Sequence, residues 1–354
     1  MKIRYAFIKE KVQEIFIDSN IEKYPIDIKG LIKSFPYCKV VSYKKHMKKY
    51  SLSANETIGF FGTEEGCTDY NPLKNRYIIF YNNLNEYYKS SERIRWTLAH
   101  ELGHILLNHH KLTNKTKIFR SSLNDNEYSI FESEANRFAA LLLAYPLILH
   151  KLDIRNKDDI KYICALSDEA SDYRYNDYLK WIKRPILNTK DRKILKNFYG
   201  FINHKYCSVC NSKIDNKDID YCPICGFSEI LRGEGKMKYD YVELNEKNKT
   251  KFCPTCENEN TNIAGDYCQI CGSHIKNLCT NPNCEAELPG EARYCMYCAA
   301  PSSFYNNNYL CDWQQFQTDL AFLGDPSVED TPISDFDSID PKPVEADEYS
   351  DIPF

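Results

Sequence analysis

A length of 354 residues leaves room for two or three domains, and a net charge of −4 favours no class of binding partner by itself. Charged residues throughout positions 2–14 exclude the apolar core of a signal peptide, and the longest apolar run, 139–149, is too short to span a bilayer. We therefore expect a cytoplasmic protein. The charge is unevenly distributed, because the segment from Asp325 onward holds ten acidic residues and one lysine.

The first 90 residues show the patterns of a mixed helix-and-strand region. Helices are predicted at 6–16 and 26–35, and strands at 39–43 and 76–81, where β-branched and aromatic residues dominate. Turn-forming residues predict a loop at 62–71.

A longer helix is predicted at 92–108, with Ser91 as its N-cap. Its apolar residues lie on both sides, which is typical of a buried helix. A polar loop follows, and then a second helix from about 128 to 144, which we expect Pro146 to end. Residues 158–183 read as two further helices, which either form a DNA-reading helix-turn-helix or pack against a core.

The first long helix contains His100-Glu101-Leu102-Gly103-His104. Positions four apart on a helix differ by about 40° of rotation, so the two imidazoles can hold one ion. Glu101 lies about 100° around from His100, where its carboxylate can take a proton from a metal-bound water. A catalytic zinc ion needs a third protein ligand and an open position. The second helix offers Glu132 and Glu134, at similar angles to its apolar face.

Four other residues near these helices require an interpretation. His109 and His110 follow the pentapeptide too closely to share its ion, so we expect them at the surface. Tyr128 and Tyr145 are candidates for stabilising an oxyanion.

Residues 95–104, followed some 28 residues later by Glu-x-x-Ala-Asn-x-Phe-Ala at 132–139, resemble the ImmA/IrrE family of zinc metallopeptidases. The resemblance covers roughly residues 1–185. It implies that His100, His104 and Glu132 bind zinc, with Glu134 as the second candidate, and that Glu101 activates water. Asn136 is a candidate for orienting a ligand. The family's characterised substrates are DNA-binding repressors, which are cleaved in stress responses or under mobile-element control.

One departure from the family concerns the end of the second helix. Related sequences commonly have Met-Pro there, whereas this chain has Tyr145-Pro146. We expect the change to alter packing and to leave the chemistry intact.

Twelve of the sixteen cysteines form three modules of four, a spacing that favours metal binding in a reducing compartment over a secreted disulfide framework. Each module supplies the four thiolates of a closed structural zinc site and resembles a zinc ribbon. Their role is contact with protein or nucleic acid, or sensing. The ligands are Cys207, Cys210, Cys222 and Cys225 in module 1 (203–230), Cys253, Cys256, Cys268 and Cys271 in module 2 (250–275), and Cys279, Cys284, Cys295 and Cys298 in module 3 (277–301).

The chain ends in a spacer with a short helix (302–324) and an acidic tail (325–354) that is too polar to fold alone. The tail either solubilises the chain or carries an address. Its tip, Asp351-Ile352-Pro353-Phe354, resembles the tip of bacterial single-stranded-DNA-binding proteins. That resemblance implies docking on repair and replication proteins.

These features together predict an α+β chain: a zincin-like metallopeptidase domain with a helical extension (1–190), three zinc ribbons and a disordered acidic tail. The predicted function is zinc-dependent cleavage of a protein, in particular a helix-turn-helix repressor, in a stress, DNA-damage or mobile-element response. The predicted cofactors are one catalytic and three structural zinc ions. The alternatives are a non-catalytic adaptor and a nucleic-acid-associated ribbon protein that docks on DNA-repair proteins.

Overall fold

The structure is a computed structural model that describes residues 2–84, 90–113, 115–118, 125–215 and 219–323. Its elements up to residue 84 are helices α1 (Tyr5–Asp18), α2 (Ile28–Lys33), α3 (Tyr43–Tyr50) and α4 (Ala54–Phe61) and strands β1 (Cys38–Ser42), β2 (Gly66–Asn71) and β3 (Arg76–Tyr81). The helices that follow are α5 (Ser91–Leu106), α6 (His109–Thr113), α7 (Asp125–Leu143), α8 (Pro146–Lys151), α9 (Lys157–Cys164), α10 (Asp168–Lys183), α11 (Thr189–Asn197) and α12 (Tyr199–Asn203). The cysteine-rich part contains β4 (Lys205–Cys207), β5 (Lys213–Ile214), β6 (Ile230–Arg232), α13 (Ser303–Asn306) and α14 (Trp313–Leu323).

The first sheet has the order β1-β3-β2, with β3 parallel to β1 and antiparallel to β2. Strand β2 occupies part of the segment expected to be a loop, so that prediction is wrong. Gly66, Asp69 and Asn71 are weak strand formers, but pairing with β3 along the whole length of β2 overrides their local preference.

The hydrophobic core lies between the sheet and the two long helices. Helix α5 packs against α7 and against strands β2 and β3, while α1 packs against α7 and α11. Leu98 and Leu102 of α5 and Phe138 of α7 are fully buried in this core. The apolar faces of the two predicted helices therefore meet, which brings their polar residues together at one end of the interface.

The predicted N-cap of the first long helix is wrong by one residue. Ser90 rather than Ser91 caps α5, because the Ser90 hydroxyl accepts a hydrogen bond from the Arg93 amide at 3.3 Å. The second helix ends at Leu143, before Pro146 as expected. Pro146 itself begins α8, where the fixed backbone angle of proline suits the first helical position.

The packed core continues beyond position 190. Ile194 of α11, together with Phe198 and Phe201, belongs to the same buried cluster as the residues of α1 and α7. The predicted domain limits remain a prediction. Helices α9 and α10 pack against each other, and the DNA-reading interpretation of this pair also remains a prediction.

The cysteine-rich part has little regular structure. Its sheet has the order β5-β4-β6, with both pairs antiparallel. Modules 1 and 3 touch, because the Tyr221 amide donates to the Met296 carbonyl and the Arg293 amide to the Pro223 carbonyl. Trp313 and Phe316 of α14 pack on module 1, so the chain returns to the first module after completing the third.

The mixture of helices and sheet is confirmed, and the short helix expected within 302–324 is present as α14. The acidic tail and its tip, Asp351 to Phe354, lie outside the described residues. Within the described ranges, none of the helices combines the length and apolarity needed to cross a bilayer.

Candidate metal centre

Helices α5 and α7 bring together the three residues expected to bind zinc. His100 and His104 lie one turn apart on α5, and Glu132 lies on α7. The helices approach closely at Gly103, where a Cβ atom would lie 3.0 Å from Phe138 Cδ1 and 3.3 Å from the Ala135 Cα. The absence of a side chain at Gly103 thus permits the short interhelical distance that the site requires.

The donor atoms of these residues form a compact group. His100 Nε2 lies 3.0 Å from His104 Nε2, and the Glu132 carboxylate oxygens lie 3.3 and 3.4 Å from the two nitrogens. The three donors all lie within 4.8 Å of one another. A tetrahedral zinc ion with bonds of about 2.0–2.1 Å separates its ligand atoms by roughly 3.3 Å. The group fits zinc, and two imidazoles plus a carboxylate leave a fourth position for water.

The electrostatics of the group also favour a cation. Burial penalises the charged form of Glu132, but its contacts with His100 and His104 outweigh burial and hold its pKa well below the usual range. Burial likewise disfavours a charged His100, but the Glu132 carboxylate prevails and raises the pKa of His100. Positive charge between these side chains is therefore stabilised, as a metal site requires.

Glu101 lies beside this group and is not part of it. It is 8% exposed, and its Oε2 accepts a hydrogen bond of 2.7 Å from the Thr68 hydroxyl on β2. Glu101 and the three candidate ligands line the same cavity, whose volume is about 750 Å³. A carboxylate in this place can receive a proton from a water at the open metal position.

Trp96 lines both that cavity and a second, neighbouring one. The second cavity runs along α7 and α10, past Arg137 and Tyr173. The two cavities also share Thr97 and Asn136 in their linings, and together they are called the groove. Tyr128 lines the groove, whereas Tyr145 is 1% exposed and donates its hydroxyl hydrogen to Asp191, so Tyr145 as an oxyanion stabiliser is wrong.

Asn136, the residue expected to orient a ligand, contacts the His100 nitrogen that faces away from the donor group. His100 Nδ1 lies 3.0 Å from Asn136 Oδ1, and an amide oxygen can only accept, so His100 Nδ1 donates. This leaves His100 Nε2 free to face the metal position.

The expectation that His109 and His110 lie at the surface is wrong, since they are 0% and 1% exposed. His109 Nδ1 lies 2.9 Å from His104 Nδ1, and His109 Nε2 lies 2.9 Å from a Glu134 oxygen. Burial, followed by the charge of His104, lowers the pKa of His109 to about 3. Glu134 is absent from the donor group and pairs instead with Arg4.

Each cysteine module gathers its four sulfur atoms into one cluster. The closest sulfur pairs within the modules are 3.4–3.7 Å apart. This is too long for a disulfide, which needs about 2.05 Å, and is close to the roughly 3.8 Å between thiolates on a tetrahedral zinc ion. The residues fit structural zinc. Cys38, Cys67, Cys164 and Cys311 lie outside the clusters.

Comparison with known proteins identifies the region that contains the site. Residues 54–175 match the sequence model of peptidase family M78, the IrrE N-terminal-like domain. The match supports the ImmA/IrrE resemblance and implies a zinc metallopeptidase-like function for this IrrE-like region. It includes α5 and α7 but excludes α1 and the cysteine modules.

The other comparisons add little. A transcriptional regulator from Mycobacterium tuberculosis matches with a TM-score of 0.21 and 13% sequence identity. The match covers 46% of this chain and 50% of that structure, so this chain spans about half its length. A comparison with curated proteins finds no significant match.

Sequence reasoning missed Thr68, His109 and Arg4. Thr68 gives no local signal, because its role depends on the pairing of β2 with β3. For His109 a signal existed: Asn108 is a residue type that commonly follows a helix in the left-handed conformation, and here its φ is +60°. The chain reverses at Asn108 and returns His109 to the side of His104.

Proposed function

We propose that this chain is a zinc-dependent endopeptidase that hydrolyses a peptide bond of a protein substrate. The observation that carries the proposal is the convergence of His100, His104 and Glu132 at metal-ligand distances, with Glu101 beside them in one groove. In this proposal, one zinc ion occupies this site and three occupy the cysteine clusters.

The residues of the groove have different roles in the proposed hydrolysis. Bound zinc lowers the pKa of water toward neutrality and polarises the scissile carbonyl. Glu101 accepts the proton of the attacking water and passes it to the leaving amine. Thr68 holds Glu101 in position through its hydroxyl. The two histidine ligands need neutral rings with Nε2 free, which the partners of their Nδ1 atoms ensure.

The proposed substrate is a helix-turn-helix repressor, cleaved in a stress, DNA-damage or mobile-element response. Support comes from the resemblance of the IrrE-like region to a family whose characterised substrates are such repressors.

The test is co-expression with helix-turn-helix repressors encoded beside this chain's own gene, scored by the appearance of repressor fragments. Glu101→Gln should reduce cleavage by about 10²-fold or more while zinc content is unchanged. Glu22→Gln, at an exposed position that lines neither cavity, is the matched control and should cleave normally. Cleavage that persists in Glu101→Gln would refute the mechanism. Cleavage of none of the repressors would refute the substrate.

We further propose that the cysteine modules and the acidic tail recruit partners. The aromatic ring of Phe354 suits an apolar pocket with a basic rim, and the neighbouring acidic residues steer the encounter. Deleting Ile352–Phe354 should abolish capture of purified repair proteins that bind such tips. A gel-shift measured at several salt concentrations distinguishes nucleic-acid binding by the modules from protein docking, because only the former shifts a nucleic-acid band, and that shift weakens steeply with salt.

A further inference from the structure

A continuous chain of hydrogen bonds extends from His104 to the N-terminal segment of the protein. His104 Nδ1 meets His109 Nδ1 at 2.9 Å, and His109 Nε2 meets Glu134 Oε2 at 2.9 Å. The side chains of His109 and Glu134 are both 0% exposed, so water does not compete for these contacts. Arg4, the residue before α1, closes the chain on Glu134.

Arg4 grips Glu134 with both its main chain and its side chain. The Arg4 amide donates to Glu134 Oε1 at 2.7 Å, and Arg4 Nε donates to the same oxygen at 3.0 Å. Arg4 Nη2 donates to Glu134 Oε2 at 2.5 Å and to the Leu107 carbonyl at the end of α5 at 3.2 Å. A buried carboxylate is stable only when paired in this way, and here the pairing also ties α1, α5 and α7 together.

The direction of each hydrogen bond follows from the chemistry of its neighbours. If His104 binds the metal through Nε2, as the proposed function requires, its Nδ1 carries a hydrogen and must donate. His109 Nδ1 must then accept, which requires a neutral ring with its hydrogen on Nε2. That hydrogen points to Glu134, which can only accept. Each of these hydrogen-bonding atoms is therefore fixed as a donor or as an acceptor. Reversing any one of them would place two donors or two acceptors against each other in the buried interior.

We propose that His109, Glu134 and Arg4 are positioning residues of the metal centre, which fix the tautomer and orientation of His104 and strengthen it as a ligand. This inference rests on the proposed function. His100 has a different partner, the neutral amide of Asn136, and its side chain is 15% exposed compared with 5% for His104. The two histidine ligands are consequently supported unequally, and the stronger support comes from Arg4, outside the IrrE-like region.

The test measures zinc retention by the full-length chain against a competing chelator. His104→Ala keeps all twelve module cysteines and supplies the background of structural zinc, so the difference from wild type reports the candidate centre alone. His109→Phe fills the same space beside Phe131 but offers no acceptor to His104. It should weaken the zinc of this centre by about 10–100-fold. His109→Gln, with an acceptor oxygen and a donor nitrogen, should recover most of that loss.

His46→Phe is the matched control, because His46 is also buried but packs on Phe60 and Phe61, outside the cavity of the candidate ligands. It should retain zinc as the wild type does. Arg4→Met and Arg4→Lys form a second pair at a side chain that is 30% exposed. Circular dichroism must show that each is folded, because Arg4→Met leaves the buried Glu134 carboxylate without its cation. Arg4→Met should weaken zinc binding several-fold, and Arg4→Lys should restore part of it.

The outcomes separate the two proposals. If wild type holds no more zinc than His104→Ala, the proposed function fails and this inference fails with it. Suppose that wild type holds the additional zinc and that His109→Phe, with an unchanged circular dichroism spectrum, binds it within twofold as tightly. The hydrogen bonds from His104 to Arg4 are then only structural, and the inference is overturned. The same conclusion follows if His109→Gln is as weak as His109→Phe. Should His109→Phe fail to fold, unchanged retention in Arg4→Met would overturn the inference.

Discussion

The His–Glu centre and the cysteine clusters hold their metal-ligand atoms in physically different ways. His100, His104 and Glu132 project from long helices whose positions are set by a hydrophobic core. In module 2, by contrast, the buried core consists of Cys253, Cys268 and Ile275. In the first case the fold imposes the ligand geometry, and in the second the ligands organise the fold. Removing metal should therefore unfold a cysteine module but leave the helices of the His–Glu centre folded.

The largest expected effect is in module 1. Cys222→Ser should remove one zinc ion and unfold residues 203–230 locally, because structural zinc supplies about 10–16 kcal/mol of apparent binding free energy at neutral pH. His104→Ala should lose its metal and leave α5 and α7 folded. Hydrogen–deuterium exchange of the full chain measures both. Cys311→Ser, an exposed cysteine outside the clusters, is the control. Loss of protection in α5 of His104→Ala would contradict the comparison.

Disturbing the core should damage the His–Glu centre alone. Phe138 is fully buried against Gly103, so Phe138→Ala should lower the free energy of unfolding of this region by about 3–5 kcal/mol and weaken its metal. Zinc in the cysteine clusters should remain. Denaturant unfolding followed by circular dichroism, with zinc analysis, measures the effect. Tyr162→Ala, at an 86% exposed position, should change stability by less than about 0.5 kcal/mol. If Phe138→Ala lost metal equally from both regions, the hydrophobic core would not be specific to the His–Glu centre.

Acidification should destabilise the helical region through His110. Burial lowers the pKa of His110 to about 4, compared with an ordinary value of 6.5. The unfolded chain therefore takes up a proton first as the pH falls, and stability is lost between about pH 6.5 and 4. Between pH 7 and 5 the free energy of unfolding of the wild type should fall by about 2 kcal/mol more than that of His110→Phe. Denaturant unfolding at a series of pH values measures this difference. If the free energies of unfolding of the two proteins changed in parallel with pH, the lowered pKa of folded His110 would be contradicted.

The smallest expected effect concerns Glu101. Thr68→Val removes the hydroxyl that donates to Glu101, and should lower kcat about tenfold, or ~1.4 kcal/mol, without changing metal content. Thr68→Ser keeps the hydroxyl and should retain most of the activity. Peptide hydrolysis kinetics together with zinc analysis check the effect. A fall in zinc content in Thr68→Val would mean that Thr68 supports the fold of the centre rather than the orientation of Glu101.

What the sequence predicts well is local. The strand at 76–81 has the predicted bounds, α5 and α7 fall close to theirs, and the twelve cysteines cluster as their spacing indicates. The strand and the helices depend on patterns among close neighbours, and the sulfur contacts within a module join residues at most 19 positions apart.

What the sequence predicts poorly depends on distant partners. His109 resembled a surface residue because its partner Glu134 lies 25 positions away, and Glu134 in turn pairs with Arg4 at a separation of 130. Helix periodicity alone could not decide between Glu132 and Glu134. The structure separates them, since Glu132 faces the two histidines of the donor group while Glu134 faces Arg4.

The positions of the three tryptophans make the regions of this chain optically distinguishable. Trp96 lines the groove beside the candidate metal centre, Trp181 lies on α10 with its ring 6.0 Å from that of His150, and Trp313 packs on module 1. Three proteins that each retain one tryptophan, with the other two replaced by phenylalanine, would report fluorescence from one place each. Peptide entry, helical unfolding and loss of a thiolate-bound metal would then each be followed separately, in the full-length chain.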